Sequence, residues 1–148
     1  MIAHRPFLLL DVEVGQPVEI GALGSGRRRY IPITGGVISG TLEGTIVPGG
    51  DWQTINDDGN LDIAAHYAFR TVNGEVVEVV SNGVRAASPA VQQRLASGEN
   101  VDPGEYYFRT AIRFRTSAPS LSYLNFRLAV SRGQRFKDQV HLEVFEIL

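Results

Sequence analysis

Apolar and polar residues alternate along most of this chain in short runs, divided by glycine, proline and asparagine. From Leu61 to Arg70, one side carries Leu61, Ile63, Ala65, Tyr67 and Phe69; the other carries Asp62, Ala64, His66, Ala68 and Arg70. That period of two is the signature of a strand with one face in a core. Asn73-Gly74 then joins this run to Glu75–Val80. The dipeptide suits the positive φ angles of a tight hairpin turn. Glu105–Thr116 alternates in the same way, with Tyr106, Phe108, Thr110, Ile112 and Phe114 set against Tyr107, Arg109, Ala111, Arg113 and Arg115. Phe7–Val14, Arg27–Ile38, Thr41–Val47, Trp52–Ile55, Leu121–Ser131 and Gln139–Leu148 read as further strands, Pro17–Leu23 as a short edge piece, and Arg132–Asp138 as a polar connection. One helix is predicted, over Ala90–Ser97, with Ser88 as its N-cap, Pro89 at its first position and Gly98 after its end.

The pattern predicts an all-β chain of about eight to ten strands joined mostly by hairpins. Such a sheet removes its edges by closing, so the expectation is a single antiparallel β-barrel with one short helix, one domain over 1–148. Eight of the sixteen glycines lie between Gly24 and Gly50. Glycine within a strand marks a bulge, a bend or a close backbone approach. This segment is therefore where the early strands bend and where Asp51 and Trp52 are delivered to a rim.

Composition narrows the chemistry. The chain has no cysteine, which excludes disulfides, thiolate metal sites and a thiol nucleophile. Its formal charge of −2 provides no basic field for nucleic acid. No apolar run approaches the ~20 residues that span a bilayer, and the first residues lack the pattern of a secretory signal. The expected setting is cytoplasmic, with neither nucleic acid nor membrane as partner. Lys137 is the only lysine among the fourteen basic residues. Arginine is the better group for bidentate anion contacts, although genome composition explains the same bias.

No phosphate loop, nucleophile elbow or zinc-binding helix motif is present. His4, His66 and His141 have no metal-like spacing, so neither metal nor cofactor is expected. The candidates are clusters. Asp51 and Trp52 follow a forced turn. Tyr107 and Arg109 share a strand face, where an inward Arg109 would stabilise an oxyanion and Tyr107 would donate a proton. An exposed arginine stripe accounts for the same residues. Tyr123 and Asn125 share another face, and His66 stands beside Asp62 and Arg70. Catalytic roles are assigned to Arg109, Tyr107 and Asp51, and ligand contacts to Trp52, Tyr67, Tyr123, Asn125 and His66.

The ordered set Pro32-Ile33-Thr34-Gly35-Gly36, Gly40, Pro48-Gly49-Gly50-Asp51-Trp52-Gln53, Asp58-Gly59, Asp102-Pro103, Glu105-Tyr106-Tyr107-Phe108-Arg109-Thr110 and Leu124-Asn125 resembles a bacterial and fungal family of unknown function, DUF 3237, also called UPF 0311. The resemblance runs from about Phe7 to Leu148. It implies a single-domain antiparallel barrel, comparable to small ligand-enclosing barrels, and no settled activity. The family's recurrent positions fall here on Gly36, Gly50, Asp51, Trp52, Asp58, Tyr107, Phe108, Arg109 and Asn125. The family often has Trp before its Leu-Asn pair, where this chain has Tyr123. Two functions fit. One is a small-molecule binding barrel, extending to a cofactor-free isomerase, cyclase or lyase acting on a hydrophobic or aromatic metabolite. The other is a non-catalytic structural or interaction module, most simply a homo-oligomer.

Overall fold

The computed structural model describes residues 1–148. Nine strands follow one another: β1 Leu8–Val14, β2 Val18–Ala22, β3 Arg27–Gly40, β4 Gly44–Ile55, β5 Leu61–Thr71, β6 Val76–Ala86, β7 Tyr107–Arg115, β8 Leu128–Arg135 and β9 Gln139–Glu146. All pairings are antiparallel, in the order β1-β9-β8-β7-β6-β5-β4-β3-β2. β1 also pairs with β3, Leu8 opposite Gly40 through Val14 opposite Ile33. That contact closes eight strands into a barrel and leaves β2 as an extra ribbon on β3. Closure leaves no long unpaired edge on the eight strands.

The inward residues follow the period of two. Leu8, Leu10 and Val12 of β1, Ile63, Tyr67 and Phe69 of β5, and Phe108, Ile112 and Phe114 of β7 are all buried. At one end Phe114 meets Phe7 and Phe69 edge-on, with ring centroids 6.0 and 6.4 Å apart. Leu121 and Leu124, on the 3-10 turns of Pro119–Phe126, help seal that end. Above this plug Ser81, Thr110 and Ser131 form a belt of buried hydroxyls: Ser81 Oγ donates to Thr110 Oγ1 (2.9 Å), which is 2.6 Å from Ser131 Oγ. At the other end lies helix α1, Pro89–Ala96, with Val91 and Leu95 turned into the protein. Ser88 caps it, its hydroxyl accepting from the Val91 N–H. No helix is long and apolar enough to cross a membrane.

Three sequence expectations change. Trp52–Ile55 is not a separate strand: β4 runs unbroken through Pro48-Gly49-Gly50. Val47 pairs with Ala68 and Gly50 with His66, so Pro48 and Gly49 face the single residue Tyr67. This is a β-bulge, and proline is tolerated there because a bulge leaves an N–H without a ladder partner. Leu121–Ser131 is not one strand, since Pro119 starts 3-10 turns that end at Phe126. β6 and β8 also extend further than their apolar pattern indicates, to Ala86 and Arg135.

Candidate functional site

The lumen opens at the α1 end, and the bulge decides what lines it. Ile46 of β4 points inward. One extra residue at Pro48-Gly49 shifts the alternation, so Asp51 and Gln53 face in and Trp52 faces out. Gly49 carries no side chain because a Cβ there would lie 2.2 Å from the His66 carbonyl oxygen.

The lumen has three levels. Deepest is an apolar chamber of about 50 Å³, walled mainly by Val12, Ile33, Ala65, Phe108 and Leu142, with Asp51 and Tyr67 among its few polar groups. Above it is a neck of about 30 Å³ that shares Asp51, Ile63 and Phe108 with the chamber and adds Arg29, Gln53, Arg85 and Arg135. The same three arginines line an outer mouth of about 240 Å³, together with Leu95, Lys137 and Asp138.

A hydrogen-bonded chain runs along the wall. Arg29 Nε–H donates to Gln53 Oε1 (2.9 Å), and Gln53 Nε2–H donates to Asp51 Oδ2 (2.7 Å). The Ala64 N–H donates to Asp51 Oδ1 (3.2 Å). Burial dominates these contacts and pushes the Asp51 carboxyl up to about 6; the bonds from Gln53 and Ala64 and the charges of Arg29 and Arg135 hold it lower than burial alone would. Burial, with the nearby Asp51 charge, also raises Tyr67, so its phenol stays protonated. Tyr67 is 5% exposed, and its hydroxyl has no hydrogen-bond partner. Burial lowers Arg85 to about 10, helped by repulsion from Arg135 and Arg29. Buried polar atoms are nearly always satisfied, so the unpartnered Tyr67 hydroxyl, Arg85 Nε and Arg135 Nη1 leave hydrogen-bonding capacity unused along this lumen.

Of the eight residues singled out from the sequence, the structure brings two together here, Asp51 and Tyr67. The other six lie elsewhere. Tyr107 is 54% exposed on the outer face of β7, with the Arg109 guanidinium 5.0 Å over its ring. Strand parity puts Phe108 inside and both its neighbours outside. Trp52 is 44% exposed and packs outside on Tyr30, centroids 4.7 Å apart. His66 lies on the outer face of β5, 2.6 Å from Glu78. Tyr123 and Asn125 sit on the 3-10 turns at the sealed end. Asn125 is engaged with the backbone there: its Oδ1 accepts from the Thr116 N–H and its Nδ2–H donates to the Thr116 carbonyl, both at 2.9 Å. None of these six reaches the lumen, because outward parity or the 3-10 turn carries them away from it.

The sequence reading passed over Arg29, Gln53, Arg85 and Arg135. Gln53 stood two residues after Asp51 in the glycine-rich segment, the one local signal available for it. The arginines suit an anion. No group of three His, Asp or Glu side chains comes together to hold a metal ion.

Fold and site define a small closed barrel with an apolar lumen and a cationic neck. The chain belongs to the family described as protein of unknown function (DUF3237), which it matches over residues 3–147. A UPF0311 protein from Bradyrhizobium diazoefficiens is 36% identical over 140 residues, 94% of this chain and 92% of that protein. The crystal structure of a conserved protein of unknown function from Rhodopseudomonas palustris superposes with a TM-score of 0.95 at 34% identity, covering 100% of this chain and 99% of that one. A more distant likeness, TM-score 0.67 at 19% identity over 96% of both chains, is to an enzyme from Penicillium herquei and concerns the fold alone.

Proposed function

We propose that the lumen takes an apolar or aromatic, carbonyl-containing metabolite and moves a proton on it without a cofactor, as an isomerase, cyclase or lyase does, with Asp51 as the base. The observation that carries this reading is a carboxyl raised to about 6 on the wall of an apolar chamber that it shares with a phenol lacking a hydrogen-bond partner. A base of that strength is ionised at neutral pH and binds a proton more strongly than an ordinary carboxylate. In the step it supports, the substrate C–H bond beside the carbonyl breaks and its proton goes to an Asp51 carboxylate oxygen. The electron pair moves into an enolate, whose oxygen accepts a hydrogen bond from Tyr67 and faces the charge of the neck arginines. Return of the proton to the opposite face of the same carbon completes an epimerisation, and where a double bond is conjugated with the enolate, its return to the far carbon of that double bond completes an isomerisation.

The test is wash-out of α-protons in D2O, followed by NMR, over a panel of aromatic and branched ketones and acids that shift the melting temperature. Exchange is expected to rise as pH passes about 6 and then level, since Asp51 becomes ionised there. Asp51→Asn is expected to slow it by about 10²–10⁴-fold. A ligand that binds the lumen yet exchanges equally fast with both proteins removes Asp51 as base, and a panel with no binder removes the lumen reading.

A second reading rests on the outer face. Tyr107, Arg109, Arg132 and Phe145 line a shallow groove of about 560 Å³ with Ile2 and Val84, and Arg132 lies 5.7 Å from the Phe145 ring centroid. Tyrosine and arginine are enriched in interfaces, so a second copy of this chain fits this face. Sedimentation at tens of micromolar is expected to show a dimer that Tyr107→Ala dissociates. A monomer under those conditions sinks the reading.

A further inference from the structure

Charge and hydrogen-bonding capacity are unmatched at the neck of the lumen. Arg29 comes from β3, Arg85 from β6 and Arg135 from β8, and all three line the same narrow space. None takes part in the ion pairs that engage Arg27, Arg94, Arg127 and Arg132 elsewhere. Arg29 spends Nε on Gln53, whereas Arg85 Nε and Arg135 Nη1 are buried with no partner. Only Asp51 opposes them within the neck, and Asp138 stands further out at the mouth beside Lys137. Arginines serving as structural struts would fork onto carboxylates or backbone carbonyls. Grouped without those partners, they repel one another: each of Arg85 and Arg135 is lowered by burial first and then by neighbouring guanidinium charge. Burying guanidinium groups without pairing them is costly, and an arriving anion recovers that cost.

The level beneath has the opposite character. Val12, Val14, Ile33, Ile63, Ala65, Phe108, and the apolar rest of the chamber enclose about 50 Å³, which admits the end of a hydrocarbon or the edge of a ring. We infer that the ligand is a hydrophobic carboxylate, its head group held by Arg29, Arg85 and Arg135 in the neck and its apolar end seated in the chamber beside Asp51 and Tyr67. This assignment rests on the lumen being the ligand site and adds the chemical class. The planar guanidinium fork matches a carboxylate geometrically, and three arginines against one Asp51 leave the neck positive whatever the state of that carboxyl. Within the proposed reaction, a carboxylate anchored at the neck would hold the carbon it bears, or the next one, at the level of Asp51.

The experiment uses the wild-type protein and matched pairs of acids and neutral amides: phenylacetate with phenylacetamide, and 3-methylbutanoate with 3-methylbutanamide. Inorganic phosphate serves as an anion without a hydrocarbon end. Affinities are read by calorimetry near neutral pH and low salt. Each acid is expected to bind at least about tenfold more tightly than its amide and than phosphate, the scale of one charge-assisted contact. Arg85→Gln and Arg135→Gln are expected to lose about tenfold or more for the acids and to leave the amides unchanged. Amides that bind as well as acids overturn the carboxylate assignment and leave the lumen reading standing. Phosphate binding as tightly as the acids also overturns it, because the chamber then contributes nothing. If no member of either pair binds, the lumen reading falls with it. The wild-type comparison decides the matter even where an arginine variant folds poorly.

Discussion

Replacing Asp51 with Asn is expected to stabilise the protein at about pH 8 by roughly 2 kcal/mol and to leave it little changed at about pH 4. Burial raises the folded-state carboxyl from the ordinary 3.8 to about 6. Below 3.8 the group is protonated in the folded and unfolded chains alike and contributes nothing to the difference. Between those values the unfolded chain releases its proton and the folded one keeps it, so stability falls as pH rises. Above about 6 the full penalty is present, about 3 kcal/mol for a rise of this size at ~1.4 kcal/mol per unit. Asparagine removes that penalty and still accepts from the Ala64 N–H, while the bond from Gln53 Nε2 is lost at about 1 kcal/mol. For a chain of this length the net gain corresponds to a rise in melting temperature of roughly 4–8 °C. Melting curves at the two pH values check it. A variant that melts lower at both, or whose gain does not depend on pH, contradicts the account of Asp51. Stability given up at a residue where chemistry is proposed is the trade expected of functional sites.

The second large effect is expected at the closing seam. Gly36 pairs with Val12 across β1–β3 and has a φ of +133°. A Cβ there would lie 2.0 Å from the Asp11 carbonyl oxygen. That oxygen belongs to the backbone of β1, so the clash is relieved only by parting the two strands that close the barrel. Gly36→Ala is expected to cost roughly 3–5 kcal/mol, the sum of an unfavourable φ and an overpacked seam. Gly74 is the control: its φ is +87°, and a Cβ there meets nothing within 4 Å. Gly74→Ala is expected to cost only about 1 kcal/mol, from the backbone angle alone. Urea unfolding of the two variants separates clash from conformation, and equal losses would mean the seam is not tight.

Much of the barrel could be read from side-chain alternation, because a strand with one face in an apolar core repeats every two residues. Leu61–Phe69 and Tyr106–Phe114 are the clear cases, and the Asn73-Gly74 turn between β5 and β6 is where the dipeptide indicates. The neck was hidden for the same reason. Arg85 follows Ser81-Asn82-Gly83, which look like a loop, and Arg135 sits in a stretch that looks like a polar connection. Both are inward residues of continuous strands. Alternation equates inside with apolar, and it fails where the lumen is lined with charge. Tyr107 and Arg109 were misleading in the complementary sense: a dense cluster of reactive residue types lies on the convex face, where their crowding reflects exposure. Asp51 and Trp52 are adjacent, and no periodicity can say which faces in once an extra residue is inserted before them.

The bulge at Pro48-Gly49 therefore acts as a selector. If the same residues ran in unbroken alternation from Ile46, β4 would present Trp52 to the lumen and Asp51 to the outer surface, replacing an ionisable carboxyl by an indole broad enough to fill the chamber. The chemical character of the interior is set here by where the extra residue is taken up as much as by the identity of the residues. Within this architecture, moving the bulge from before Asp51-Trp52 to after them is a route between an open, reactive barrel and a solid one, with every other strand left in place.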